Sequence, residues 1–252
     1  DAAAVEAVTL VENQNTVIID TSTAHRVADG WAYGMPELKD QREIIKNSKR
    51  IANPGCHASG FIALVAPLIE NKILSPEARL SAFSITGYSG GGKKMIADYE
   101  SEEKGENRFS PGIYGLTLQH KHIPEMKKVC QLACSPVFMP VVDDYYKGMA
   151  TTVMLHNRLL NGAPSAKEIC ERLQEYYQEE YFVKVLPFGE NDTTIYANEL
   201  AGTNELKLVV CGHEEQTSVT ALFDNLGKGA SGAAVECLNL VLGADETTGL
   251  AL

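Results

Sequence analysis

A Pro-Gly pair at positions 54 and 55 delivers one cysteine, Cys56, to the first turn of an expected helix, and the chain is organised around that junction. Phe61, Leu64, Val65 and Leu68 recur behind it at helical spacing, which predicts a core helix entered through a tight turn. Pro67 falls inside the pattern and predicts a kink or break there. Unpaired N–H groups and the positive end of a helix dipole favour thiolate over thiol. Cys56 is therefore a candidate nucleophile. A small buried cysteine closing a turn is the plain alternative.

The 252 residues suffice for one large domain or two modest ones. A formal net charge of −11 argues against non-specific binding to nucleic acid. It leaves room for an anionic small molecule, because a local cluster of Lys or Arg can oppose the global field. No apolar run of membrane-spanning length and no secretory signal pattern is read, so no membrane partner is expected. The six cysteines, at 56, 130, 134, 170, 211 and 237, are neither paired nor spaced for zinc. Free thiols and no metal are expected, with a cytoplasmic localisation.

Residues 1–12 read as a helix. Val17-Ile18-Ile19-Asp20 reads as a buried parallel strand that ends in the polar loop Thr21 to Arg26. Ligands in doubly wound sheets sit beyond such strand ends, yet no G-x-G-x-x-G follows an early strand. Further strands are expected at 80–86, 114–118, 137–142, 150–155, 182–185, 206–210 and 218–223. Helices are expected at 95–100, from Pro124 to about 133, from a Ser165–Glu168 capping box to about 178, and at 233–242. So many strands joined by turns predict a mixed or antiparallel sheet in the middle of the chain.

Gly87 to Lys93 fits G-x-x-x-x-G-K, but Lys94 stands where a nucleotide-binding P-loop needs Ser or Thr. The glycine amides and Lys93 can still cradle an anion. His120 and His122 alternate with Lys121 and could face one side of an extended backbone. A lone H-x-H is a weak metal signal, whereas a histidine near a cysteine can carry its proton at neutral pH. Arg26, at a strand end, could clamp an anion. Asp143 and Asp144 read as a solvated turn, and His57, His156 and His213 give no spacing signal.

Together these stretches resemble the N-acetyl-gamma-glutamyl-phosphate reductases, in the shorter of that family's two types. The resemblance is carried, in order along nearly the whole chain, by Asp20-Thr21-Ser22-Thr23-Ala24-His25-Arg26, Tyr33-Gly34-Met35-Pro36-Glu37-Leu38 and Asn53-Pro54-Gly55-Cys56. It continues in Gly87-Tyr88-Ser89-Gly90-Gly91-Gly92-Lys93, His120-Lys121-His122-Ile123-Pro124-Glu125 and Asp224-Asn225-Leu226-Gly227-Lys228-Gly229-Ala230. It implies an α/β plus α+β fold: the later part of a doubly wound NADP-binding domain (residues 1–55), a glyceraldehyde-3-phosphate-dehydrogenase-like catalytic domain (56–223), and a returning helix (224–252). It also implies NADP(H) as cofactor and a homo-oligomer, dimer or tetramer. Cys56 would be the nucleophile that forms a thioester from the acyl phosphate, and His120 its base. His122, Glu125, Arg26, Ser89, Gly90 and Lys93 would serve the substrate, with Ser22, Gly91 and Asn225 on the cofactor. An aspartate-semialdehyde dehydrogenase-like enzyme, or a fragment inactive without a preceding segment, are the alternative readings.

Overall fold

The computed structural model describes residues 1–252. Its strands sort into two sheets. The short apolar runs near the start, β1 (Ile18–Asp20), β2 (Ala32–Tyr33) and β3 (Arg50–Ala52), form a parallel sheet in the order β1-β3-β2. Helix α1 (Ala2–Thr9) precedes it, and α2 (Gln41–Lys46) lies between β2 and β3. Parallel strands need both faces covered. Here Ala32, Ile45 and Ile51 meet Cys237 and Leu240 of α7 (Gly232–Leu242), so the last helix of the chain completes the first core.

The second sheet has seven strands: β4 (Ser81–Gly87), β5 (Gly112–Ile113), β6 (Val137–Asp143), β7 (Met149–His156), β8 (Val183–Val185), β9 (Leu206–Gly212) and β10 (Gln216–Phe223). They run in the order β5-β6-β4-β7-β10-β9-β8. The pairs β4–β6 and β8–β9 are parallel and the rest antiparallel, so the sheet is mixed as expected. One face packs against α3 (Cys56–Glu70) and α6 (Ala166–Tyr177), where 36 buried residues form the main core. Ser165 and Glu168 make the reciprocal capping box that starts α6.

Four local expectations differ. Helix α3 runs unbroken past Pro67 to Glu70. Proline leaves the Ala63 carbonyl without its helical N–H, and the buried Tyr177 hydroxyl of α6 donates to that carbonyl at 2.9 Å. The strand expected at 114–118 is confined to Gly112–Ile113, and the following residues turn instead, with Leu118 at φ 56°. Helix α4 (Gly92–Glu100) starts before position 95, and α5 (Ile123–Val129) stops before 133.

After β10 the chain passes through a wide helical turn at Gly227–Ser231 and enters α7. Lys228 in this turn is buried between the carboxylates of Glu37 and Glu236, both also buried. Burial pushes the Glu236 carboxyl up to about 8, with the neighbouring Glu37 charge adding to it and Lys228 opposing. A lysine held by two carboxylates thus ties the segment after β2 to the returning helix.

Candidate active site

A cavity of about 460 Å³ opens where the head of α3 meets the carboxyl ends of β1 and β3, the turn after β4, the loop before α5 and the turn after β10. Cys56 sits on its wall as the first residue of α3, with Gly55 as the cap in extended backbone conformation. Gly55 is needed for space. A Cβ there would overlap Arg26 Nη1, His122 Nε2 and Glu125 Oε1, so these three groups crowd against the residue before Cys56. On the opposite wall, a Cβ on Gly229 would come within 3.0 Å of Cys56 Cβ. The cysteine therefore faces bare backbone.

Arg26, Ser89, Gly90, Gly91, His120, His122 and Asn225 share this cavity with Cys56. Ser22, Lys93 and Glu125 do not line it. The Ser22 hydroxyl donates to Asp20 Oδ2 at 2.8 Å, closing the loop after β1. Lys93 is exposed in the first turn of α4, because that helix begins earlier than its apolar pattern. Glu125 is buried and fully engaged: it takes Arg26 Nη1 at 3.0 Å, the Tyr33 hydroxyl at 2.9 Å and the Gly55 N–H at 3.0 Å. It holds the cysteine turn and the arginine in place, with no oxygen turned to the cavity. Arg26 is itself braced by the carbonyls of Asn53 and Thr21. Asn225 accepts from the Gly148 N–H and donates to the Ser89 hydroxyl, which joins two walls.

Histidines share the cavity wall with Cys56. The rings of His120 and His122 lie 4.8 Å apart, edge to face, and His57 lies 5.3 Å from His120 and 5.6 Å from His122. His57, on which spacing was silent, is fixed by Ser84 Oγ at Nδ1 and the Tyr114 hydroxyl at Nε2, each 2.8 Å away. Ser84 is in turn 2.8 Å from Thr151 Oγ1, so a buried polar chain runs from the sheet to the cavity. Sequence reasoning missed His57, Tyr114 and Lys121 as cavity residues. The first two carry no local pattern because their partners are 27 and 57 positions away. Lys121 was legible only as the spacer between two histidines.

The electrostatics correct one expectation. Burial pushes the Cys56 thiol up to about 11; the His57 N–H and the Arg26 charge oppose this, Glu125 adds to it and Lys121 opposes it. The helix start thus does not by itself make a thiolate. Desolvation outweighs it. Burial likewise drives His57 down to about 3, helped by His120 and Lys121, and His120 down to about 4, helped by Lys121. His122 lies well below the ordinary histidine range, from burial and then from its positive neighbours. At neutral pH the site holds a thiol among neutral imidazoles. The His122 backbone N–H points at His120 Nδ1 from 3.3 Å, whereas His122 Nδ1 is buried without a partner.

The same six glycine-spaced residues that turn into α7, Gly227 to Gly232, spell G-x-G-x-x-G. Their backbone is helical and their glycines are at close packing approaches, so the spelling marks no phosphate loop.

With this geometry, comparison with known proteins is decisive. The profile described as "Semialdehyde dehydrogenase, dimerisation domain" matches residues 56–225. The N-acetyl-gamma-glutamyl-phosphate reductase 2 of Nostoc sp. is 43% identical over 99% of this chain and 81% of its own length. The N-acetyl-gamma-glutamyl-phosphate reductase of Brucella ovis is 45% identical over 96% of this chain and 81% of its own. This chain belongs to the N-acetyl-gamma-glutamyl-phosphate reductase family. Among solved structures, aspartate semialdehyde dehydrogenase II from Vibrio cholerae aligns with a TM-score of 0.69 at 16% identity, covering 90% of this chain and 72% of that one. That likeness concerns the fold. Membership of the reductase family rests on the much higher identity to the reductases, which also leaves the aspartate-semialdehyde alternative with the weaker support.

Proposed function

We propose that this chain reduces N-acetyl-glutamyl phosphate to N-acetylglutamate semialdehyde, with release of phosphate, through a thioester on Cys56. The observation that carries the reading is the placement of Cys56 at the head of α3, in one cavity with His120, His122 and two cations, in a chain so close to reductases of that name. Cys56 Sγ attacks the acyl carbon as its proton leaves to an imidazole, and the phosphate departs. A thiol held at about 11 needs that base in the same step. Amides in the first turn of α3, unpaired within the helix, are the donors proposed for the oxygen on which negative charge develops.

His120 is the base in this proposal. A second reading gives that role to His122, favoured by its partnerless Nδ1 and by the backbone donor that His120 Nδ1 already faces. In that division of labour His120 donates and His122 accepts. Arg26, Ser89 and Gly90 remain on the substrate side, and Glu125 acts through Arg26 and Gly55.

NADP(H) is the proposed cofactor, and the residues present fit its nicotinamide end. Thr21 at the end of β1, Asn53 after β3, and the bare backbone at Gly229 adjoin Cys56 in the same cavity. When bound there, the cofactor supplies the hydride that reduces the thioester. The proposed assembly is a homo-oligomer, in keeping with the name of the matched region.

The test is phosphate-dependent oxidation of N-acetylglutamate semialdehyde with NADP by the full-length polypeptide. Cys56→Ser should abolish it, and retained turnover would overturn the mechanism. His120→Asn and His122→Asn, compared by single-turnover acylation, identify the base as the variant that slows acylation by roughly a hundredfold or more with little change in substrate affinity.

A further inference from the structure

The cavity wall is unusual for so acidic a chain. Its 21 residues include no aspartate or glutamate and just two cations, Arg26 and Lys121. The two are not equivalent. Arg26 is paired with Glu125 at 3.0 Å and spends Nε and Nη2 on backbone carbonyls, so its charge is compensated and its position fixed. The Lys121 ammonium makes no ion pair and no hydrogen bond within the chain. Lys93, the lysine of the glycine loop, lies outside the wall. The uncompensated positive charge of the cavity is therefore on Lys121, between the two histidines and close enough to bear on Cys56, His57, His120 and His122 alike.

We infer that Lys121 is the seat of the phosphoryl group. This rests on the acyl-phosphate reading above. In acylation the Sγ–carbon bond forms and the carbon–oxygen bond to phosphate breaks. The electron pair leaves on the phosphate oxygen, and the thiol proton passes to an imidazole. The charge released is thus on phosphate, and an ammonium with three mobile donors can follow that group as it departs. A guanidinium locked into a carboxylate cannot. Lys121 binds phosphate as leaving group in reduction and as co-substrate in the reverse direction. The fixed Arg26 is left to the part of the substrate that does not move.

Protection of Cys56 against iodoacetamide tests this without cofactor, using inorganic phosphate as the probe and following the Cys56 peptide by mass spectrometry. The half-protecting phosphate concentration should rise roughly tenfold or more in Lys121→Met, the loss of one charge-assisted contact. Lys121→Arg should stay within about threefold of the parent chain, since the charge is kept. Using a ratio of rates cancels any change that the substitution makes in thiol reactivity. N-acetylglutamate, which has carboxylates and no phosphoryl group, is the second probe. Unchanged phosphate protection in Lys121→Met overturns the inference, as does a shift confined to N-acetylglutamate, which would make Lys121 a carboxylate seat. Absence of phosphate protection in the parent chain also overturns it, and the oxidation assay above then reports separately whether the parent reading falls.

Discussion

The Cys56 thiol stands between two opposed effects. The head of α3 offers it the His57 N–H and the helix dipole, while its half-buried seat on the cavity wall removes part of the water that a thiolate needs. Desolvation wins, and the thiol is pushed up to about 11. The sign follows directly: the protonated form prevails through neutral pH, and the reactive anion gains population as pH rises. Alkylation of Cys56 in the free chain should therefore climb about tenfold per pH unit between roughly pH 7 and 9. A plateau near pH 8 would show a thiolate already formed and restore the dipole argument. This also explains what could be read from the residues. The candidate cysteine was legible because Pro-Gly-Cys is a local signal, whereas its protonation state depends on burial and on Arg26, Glu125 and Lys121, which only the fold brings near.

At the scale of elements, α3 illustrates how a local rule is overridden. Pro67 predicted a break, and the helix continues because Tyr177 of α6, 114 positions from Ala63, supplies the donor that proline lacks. No periodicity within 56–70 could reveal that partner. Replacing Tyr177 by Phe should cost about 1–3 kcal/mol, the cost of a buried carbonyl left without a donor. In a Pro67→Ala background the restored backbone N–H meets the Ala63 carbonyl, so the same replacement should cost appreciably less. Urea unfolding of the four chains of this cycle measures the coupling. Equal costs in both backgrounds would mean that Tyr177 stabilises α3 by packing alone. The elements read well from sequence were those whose signals are local, such as the capping box of α6 and the apolar runs of β6 and β10. The misplaced ones, at 114–118 and at the start of α4, are turns into the cavity whose backbone serves the site more than the core.

The whole molecule presents one face that its own chain leaves partly bare. The sheet is covered on one side by α3 and α6, and on part of the other by Leu186, Ile195, Ala197 and Leu200 around Ala150, Val209 and Leu222. The remainder of that second face, across β6, β4 and β7, carries Val137, Met139 and Met154 at 49%, 41% and 50% exposure. Met139 pairs in register with Phe83, and Phe83 with Thr152, so these side chains form one continuous strip. An apolar strip of this kind calls for a partner, and the name of the matched region points to a second copy of the chain. If the contact is two-fold, each substitution enters the interface twice. Replacing Met139 and Met154 together by Asp should therefore convert the proposed homo-oligomer into smaller species in sedimentation velocity at micromolar concentration. The Cys56 alkylation rate should be unchanged, because the strip lies on the far face of the sheet from α3. An unchanged sedimentation coefficient would move the contact elsewhere on the molecule.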